Sequence, residues 1–345
     1  MNKNWISVHI FYYGDQNYLL VQSIAPLIAS LREQGLIQRY FFIKYWVEGP
    51  HIRLRLLPAQ GADEDKIKHM VSQAITAFLE RHPALYIPRE FSPLAKTMFI
   101  REYGEEKWRE TYGKGEQMPL RPNNSFAFID YEPEYVRYAG PAGMELSEWH
   151  FEQSSDTVID LLRETNIGVS SMLLGRSVQL ALPFFYGIFR EDSKVLHALE
   201  RYILYWTHWQ RQGIPEQIYA KKYQRMAPAL RQRVAKIRQY MLEEQPSDRL
   251  TSVERTWKEH ISEFRVRIAR LYEEHRIVVP DRDLPFPTSQ TLDGVYHYLQ
   301  GSYVHMTNNR LGVLIPQEVY VAYLLKRTLE DLLADAVGRK EAVAV

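Results

Sequence analysis

The first third of the chain alternates hydrophobic and polar residues with two different periods. Trp5–Tyr13 is hydrophobic at every second position, which predicts a strand with one buried face. Gln16–Gln34 repeats hydrophobic residues every three or four positions, which predicts a helix that Asp15 caps and Gly35 ends. The same patterns predict strands over Ile37–Val47, His51–Leu57 and Ser125–Asp130 and a helix over Asp63–Arg81. This order favours a split β-α-β arrangement with a mostly antiparallel sheet.

From Tyr131 onward the hydrophobic period is that of helices. The predicted helices are Met144–Arg163, Ser170–Phe189, Ser193–Trp209, Glu216–Glu243, Ser252–His275, Gln290–Arg310 and Pro316–Ala336. Pro88–Pro122 is rich in proline, glycine and charge, and we predict a long loop there that acts as a lid or docking segment. The fold class is therefore α+β. We expect a sheet region over residues 1–130 and a mainly helical region over 131–345, as two domains or one compact domain.

The balance of charge and the absence of cysteine exclude several classes of function. The 43 Lys and Arg residues oppose 42 Asp and Glu residues, so no broad field is available to bind nucleic acid or an anionic membrane. Without cysteine there is no thiol catalysis and no disulfide. The apolar stretch near Leu180–Phe189 is interrupted by Pro183 and Gly187, and the N-terminus lacks a signal-peptide pattern. We expect a cytoplasmic protein with no membrane span.

Known cofactor motifs are also missing from the sequence. It contains no phosphate-binding or dinucleotide-binding loop, no zinc-protease helix and no serine-hydrolase elbow. Its 11 histidines are scattered without the spacing of metal ligands. We therefore expect no cofactor and no metal.

One candidate for chemistry is the predicted strand that follows the turn Glu48-Gly49-Pro50. Side chains alternate along a strand, so His51, Arg53 and Arg55 share one face. Two neighbouring guanidinium groups repel each other unless an anion such as a carboxylate binds them, and arginine offers carboxylates a planar fork. The alternative is a solvated polar face, which antiparallel sheets commonly expose.

Two more candidates lie in the helical region. Glu134 and Arg137 are three residues apart, so they either form an ordinary surface ion pair or place a carboxylate that orients an arginine beside a substrate. His305 and Asn309 are four residues apart on one helix face, shortly before the helix-ending Gly312. His305 could transfer a proton, or it could be a capping or core histidine.

These segments together resemble the elimination module of lantibiotic dehydratases, a domain also found in thiopeptide-type bacteriocin biosynthesis. The resemblance runs from about Trp5 to Leu314, through the opening strand and helix, GPHIRLRL, EYVRYAGPAGMELSEWHFEQSSDTVIDLL and HMTNNRLG. Two positions depart from the family pattern: Lys44 stands where arginine is frequent, and Ala139 where a second glycine is common.

The resemblance implies a reaction on a ribosomally made precursor peptide. A separate, glutamyl-tRNA-dependent subunit would glutamylate Ser or Thr, and this chain, as a stand-alone elimination subunit, would expel glutamate to give dehydroalanine or dehydrobutyrine. It also implies an active-site cleft between the two regions. The implied catalytic positions are Arg53, Arg55, Glu134, Arg137 and His305, with His51, Asn309 and Arg310 binding substrate. His305 is the first choice for proton transfer, with Glu134 as an orienter or a second acid–base group; the residue that takes the α proton stays open.

Two other functions fit the resemblance. One is a thiopeptide pyridine synthase, which cyclises two dehydroalanines and releases the leader peptide; retention of the arginines, glutamate and histidine favours elimination over it. The other is a non-catalytic module that binds the precursor peptide through a sheet edge. We expect no direct contact with nucleic acid, and the sequence leaves the oligomeric state open.

Overall fold

The computed structural model describes residues 4–85, 94–115, 117–166, 168–242, 250–280 and 284–343. It divides into two compact units, Met1–Glu132 and Pro133–Val345. The first contains an antiparallel sheet and the second is helical, so the predicted α+β class is confirmed.

The first unit is built on an antiparallel sheet with strand order β2-β3-β1-β4. The strands are β1 Ile6–Phe11, β2 Ile37–Tyr45, β3 His51–Pro58 and β4 Ser125–Phe128. One face of the sheet has a buried apolar centre, as Val8, Ile52 and Leu54 are 0% exposed. On the other face Ser7 lies opposite Arg55 and His9 opposite Arg53. The alternation predicted for β1 and β3 is therefore confirmed.

The first unit also contains helices that connect these strands along the chain. They are α1 Gln16–Leu19, α2 Ala25–Glu33 and α3 Glu64–Arg81. Asp15 caps α1 by accepting hydrogen bonds from the backbone N–H groups of Asn17 and Tyr18. The single helix predicted over Gln16–Gln34 is interrupted by a π-helical turn, Leu20–Ile24. Pro26, two residues after this turn, has no N–H to donate to the preceding turn, which favours a break in the regular hydrogen-bond ladder.

The prediction of a long loop over Pro88–Pro122 is wrong for the part of this segment that the structure describes. That part contains α4 Leu94–Tyr103 and α5 Glu105–Tyr112, whereas residues 86–93 and 116 lie outside the described residues. Phe99, Trp108 and Met118 form a small core of their own, against which Trp46 and Val47 pack. The segment therefore supports the β2–β3 turn: Glu48 accepts hydrogen bonds from Arg121 (2.7 Å) and Tyr112 (3.2 Å).

The second unit is a set of packed helices. They are α6 Pro141–Arg163, α7 Ser170–Phe189, α8 Asp192–Gln210, α9 Glu216–Leu242, α10 Ser252–Glu273, α11 Leu292–Leu311 and α12 Ile315–Val343. The predicted bounds lie close to these, except that α12 continues well past Ala336; Glu243, the predicted end of α9, lies outside the described residues. Within the described ranges, Ser171–Phe189 is long and apolar enough to cross a membrane, and 72% of that window is buried against neighbouring helices.

Two histidines lie hydrogen-bonded to each other in the core of the helical unit. His150 Nδ1 and His260 Nε2 are 2.8 Å apart, and the rings of Trp257, Phe264 and Tyr303 surround them. Burial lowers the pKa of His260 to about 3 and that of His150 well below its usual value. Both rings are therefore neutral in the folded protein at neutral pH.

We expect this pair to make the helical unit sensitive to acid. Unfolding exposes both rings, which then take up protons below a pKa of about 6.5, so stability falls as the pH drops below that value. Each histidine contributes a slope of up to about 1.4 kcal/mol per pH unit. Urea unfolding between pH 7 and pH 5 measures this slope, and His260→Gln should reduce it. An unchanged slope in that variant would contradict the assignment.

Gly143, in the first turn of α6, is required by a close backbone contact. A Cβ at this position would lie 1.8 Å from the carbonyl oxygen of Tyr138. This oxygen belongs to the backbone, so it can move away only if the main chain shifts. Gly143→Ala should therefore destabilise the protein by about 3 kcal/mol in urea unfolding. Gly301→Ala, at a helical glycine with nothing within 4 Å, is the control and should stabilise by about 0.5–1 kcal/mol. Equal effects of the two changes would show that the contact is unimportant.

Candidate active site

Polar side chains from β1 and β3 form a basic face on the sheet, which we define as Ser7, His9, His51, Arg53 and Arg55. Most of this face is buried, since Arg55 is 4% exposed and His51 1%, whereas Arg53 is partly exposed. The solvated-face interpretation is therefore wrong for His51 and Arg55. Lys44, the departure from the family pattern in β2, lies on the opposite face and donates a hydrogen bond to Asn17.

His51 and Tyr45 hold the guanidinium of Arg53 in place. The Arg53 Nε–H donates to His51 Nε2 (3.1 Å), while His51 Nδ1 donates to the carbonyl oxygen of Gly49 (2.8 Å). The guanidinium carbon lies 3.5 Å from the centroid of the Tyr45 ring. Burial, followed by the charge of Arg53, lowers the pKa of His51 to about 3, so the ring is neutral. This arrangement makes His51 a support for Arg53.

Arg55 is a buried cation whose donors are only partly used. Its Nε and Nη1 atoms have no hydrogen-bond partner among the described residues, and its guanidinium carbon lies 5.2 Å from the Tyr131 ring centroid. Burial, and then repulsion by Arg53, lowers the pKa of Arg55 to about 9. The same two causes lower the pKa of neighbouring His9. An anion bound beside Arg55 would offset both the cost of burying its charge and its repulsion by Arg53. The basic face is therefore suited to a carboxylate.

Glu134 and Arg137 occupy a turn at the beginning of the helical unit. Arg137 Nη1 lies 3.5 Å from Glu134 Oε2, and Arg137 Nε donates to Ser302 Oγ on α11 (3.2 Å). Ala139 has φ of 59°, a left-handed conformation that glycine adopts at lower cost. The turn fixes Arg137 against α11, with Glu134 beside it.

His305 lies three residues beyond Ser302 on α11, and its carboxylate partner is Glu318. His305 Nδ1 is 3.0 Å from Glu318 Oε1 and 3.2 Å from Oε2. Tyr202 donates a hydrogen bond to Glu318 Oε2, and the His305 ring centroid lies 4.4 Å from that of Trp206. The carboxylate that contacts His305 is therefore Glu318, which sequence analysis missed, whereas Glu134 is paired with Arg137.

The two other residues expected to bind substrate near His305 have different surroundings. Asn309 is partly buried, and its carbonyl oxygen accepts the N–H of Gly312, whose φ of 85° ends α11 as predicted. Arg310 is 0% exposed and donates to Ser155 Oγ (3.2 Å) and to the carbonyl oxygen of Met306 (2.9 Å). This enclosure favours a structural role for Arg310. Across the described ranges no group of three or more His, Asp or Glu side chains could hold a metal ion.

The chain belongs to the lantibiotic biosynthesis dehydratase C-terminal family, whose sequence profile matches residues 5–329. The predicted resemblance to this family is therefore confirmed. A search of curated protein sequences gave no match.

Solved structures with the same fold include two that match over nearly their whole length. One is described as the pyridine synthase TbtD from thiomuracin biosynthesis (TM-score 0.65, 18% identity, 95% of this chain and 98% of that chain). Another is TsrL (TM-score 0.65, 14% identity, 95% and 94%). A third is the tRNA-dependent lantibiotic dehydratase MibB from Microbispora sp. 107891 (TM-score 0.54, 18% identity). The match covers 96% of this chain and 28% of the MibB chain. At these identities the similarity establishes the fold alone.

Proposed function

We propose that this protein eliminates glutamate from glutamylated Ser or Thr residues of a ribosomally synthesised precursor peptide. The observation that carries the proposal is Arg55, a buried guanidinium with Nε and Nη1 unpartnered among the described residues, beside the second guanidinium of Arg53. A carboxylate is an anion whose geometry matches the guanidinium fork, and elimination both binds and releases carboxylates.

The reaction needs a base and a site for negative charge. The base removes the α proton of the glutamylated residue, the C–H electron pair becomes the Cα=Cβ bond, and the Cβ–O bond breaks so that glutamate leaves as a carboxylate. We assign proton transfer to His305, and binding of substrate carboxylates and stabilisation of developing charge to Arg53, Arg55 and Arg137. Glu134 orients Arg137, its ion-pair partner. The product is dehydroalanine or dehydrobutyrine.

The proposal implies two partners. The substrate is a precursor peptide with leader and core segments, and its glutamyl ester must be made by a glutamyl-tRNA-dependent activity. We assign that step to a separate subunit, so that this chain makes no direct contact with nucleic acid.

A second candidate is formation of the pyridine ring of a thiopeptide with release of the leader peptide. It is favoured by the match to TbtD, described as a pyridine synthase, over 98% of that chain. A cycloaddition between two dehydroalanines has no glutamate carboxylate to bind, so it gives the buried Arg55 no partner. For this reason we place elimination first.

Two synthetic peptides separate these functions. One carries a glutamyl ester on serine, and the other carries two dehydroalanines behind a leader segment. Elimination predicts that mass spectrometry shows the first peptide losing glutamic acid and the second unchanged. Ring formation with loss of the leader from the second peptide would support the pyridine synthase, and binding without any reaction would support a recruiting module.

A further inference from the structure

The contacts of His305 define the position of its ring on two sides. Nδ1 lies 3.0 and 3.2 Å from the two carboxylate oxygens of Glu318, and the ring is tilted against that of Trp206 with centroids 4.4 Å apart. The other ring nitrogen, Nε2, has no hydrogen-bond partner among the described residues, and the side chain is 15% exposed. Among the described residues, only the Nδ1 atom of His305 is therefore engaged in a hydrogen bond within the protein.

We infer that Glu318 is a positioning residue, held by Tyr202, that keeps the ring proton of His305 on Nδ1 and so leaves Nε2 as the acceptor of the substrate's α proton. This inference rests on the proposed function for the identity of the proton. It assigns the role of base, which the sequence left open between His305 and Glu134, to His305.

The surroundings of Glu318 allow it to act as a carboxylate acceptor. Its side chain is 0% exposed, so its oxygens are not bonded to solvent. It lies in the first turn of α12, where the positive end of the helix dipole favours negative charge, and Tyr202 donates to one of its oxygens. An ionised carboxylate has no proton to donate, so the hydrogen between it and His305 is carried by Nδ1.

The same pair stabilises the state that follows proton transfer. When Nε2 takes the α proton, His305 becomes an imidazolium whose Nδ1–H still donates to Glu318, so the new positive charge lies beside a fixed negative one. Glu318 itself touches neither substrate nor reacting atoms in this scheme. Its effect should therefore appear in kcat and in the tautomer of His305, and much less in KM.

The tautomer can be measured without a substrate. Long-range ¹H–¹⁵N correlation spectra of protein labelled with ¹⁵N-histidine distinguish protonated from unprotonated ring nitrogens, and His305→Asn identifies the signals of His305 by their loss. We expect a protonated Nδ1 and an unprotonated Nε2 in the wild-type protein at neutral pH. A protonated Nε2 with an unprotonated Nδ1 would overturn the inference, whatever reaction the protein catalyses.

Three variants test the role of Glu318. In Glu318→Gln the amide oxygen accepts from Tyr202 and the amide N–H group faces Nδ1, so the ring proton should move to Nε2 and kcat should fall about 10²–10⁴-fold with KM little changed. Tyr202→Phe leaves the contact with His305 and should keep the wild-type tautomer, with a kcat loss below about tenfold. Glu330→Gln, a charge change farther along α12, is the control and should alter neither.

Additivity separates positioning from a structural effect. The double variant His305→Asn/Glu318→Gln should be no slower than His305→Asn alone, because Glu318 acts only through His305. Full kcat in Glu318→Gln, or a further loss in the double variant, would contradict the inference.

If Glu318→Gln does not fold, the wild-type and Tyr202→Phe spectra still decide the tautomer. If the wild-type protein eliminates nothing from glutamylated peptides, the proposed function fails while these spectra test the positioning of His305 separately.

Discussion

Arg55→Met should strongly impair glutamate elimination and at the same time stabilise the protein. Arg55 is a cation buried at 4% exposure on the basic face, and burial together with Arg53 lowers its pKa to about 9. Methionine is similar in length to arginine and has no charge to desolvate. Replacing Arg55 with methionine should therefore add about 1–3 kcal/mol to the free energy of unfolding. The same change removes a fork for the substrate carboxylate and should reduce kcat/KM about 10³-fold. Urea unfolding and turnover of a glutamylated peptide measure the two effects.

Arg55→Lys is the matched control for the role of geometry. Lysine keeps the positive charge but lacks the planar fork, so most of the activity should still be lost. Stability should stay near that of the wild-type protein, since the buried charge remains. If Arg55→Met is both inactive and strongly destabilised, Arg55 is a structural cation with a partner, and the interpretation of the basic face as a carboxylate site is wrong.

His305→Asn should stop proton transfer while leaving the fold intact. An asparagine side chain can still donate a hydrogen bond to Glu318, which avoids leaving that buried carboxylate without a donor at this position. It cannot accept the α proton at neutral pH, so kcat should fall about 10²–10⁴-fold in single-turnover experiments. Peptide binding, measured by fluorescence anisotropy, should change little.

The control for this change is His197→Ala, which removes an exposed histidine from α8. It should leave both rate and binding unchanged. If His305→Asn retains the wild-type rate, His305 is not the base, and the assignment of proton transfer would return to Glu134.

The strand face and the turn were predictable because their geometry is local. Side chains alternate strictly along a strand, so HIRLR alone places His51, Arg53 and Arg55 together, as the register confirms. A spacing of three residues likewise brings Glu134 to Arg137. Whether the strand face is covered depends on residues far away in the sequence, and a period of two residues carries no such information.

The parts that the sequence did not reveal depend on long-range packing or on unusual local chemistry. Glu318 follows His305 by thirteen residues, and it meets His305 only because α11 and α12 pack against each other after the turn at Gly312. A signal was present in the sequence, as an acidic residue in the first turn of a helix, but this position is common for glutamate. The helices α4 and α5 were hidden by the many charges and glycines around their few buried residues, among them Phe99 and Trp108.

Removal of an α proton with expulsion of glutamate can be followed with a peptide whose glutamylated serine carries deuterium at Cα. We expect a dehydroalanine peptide without deuterium, one equivalent of free glutamate, and a slower rate than for the protonated peptide. Release of glutamate together with a serine peptide that retains its deuterium would mean simple ester hydrolysis and would rule out the proposed elimination.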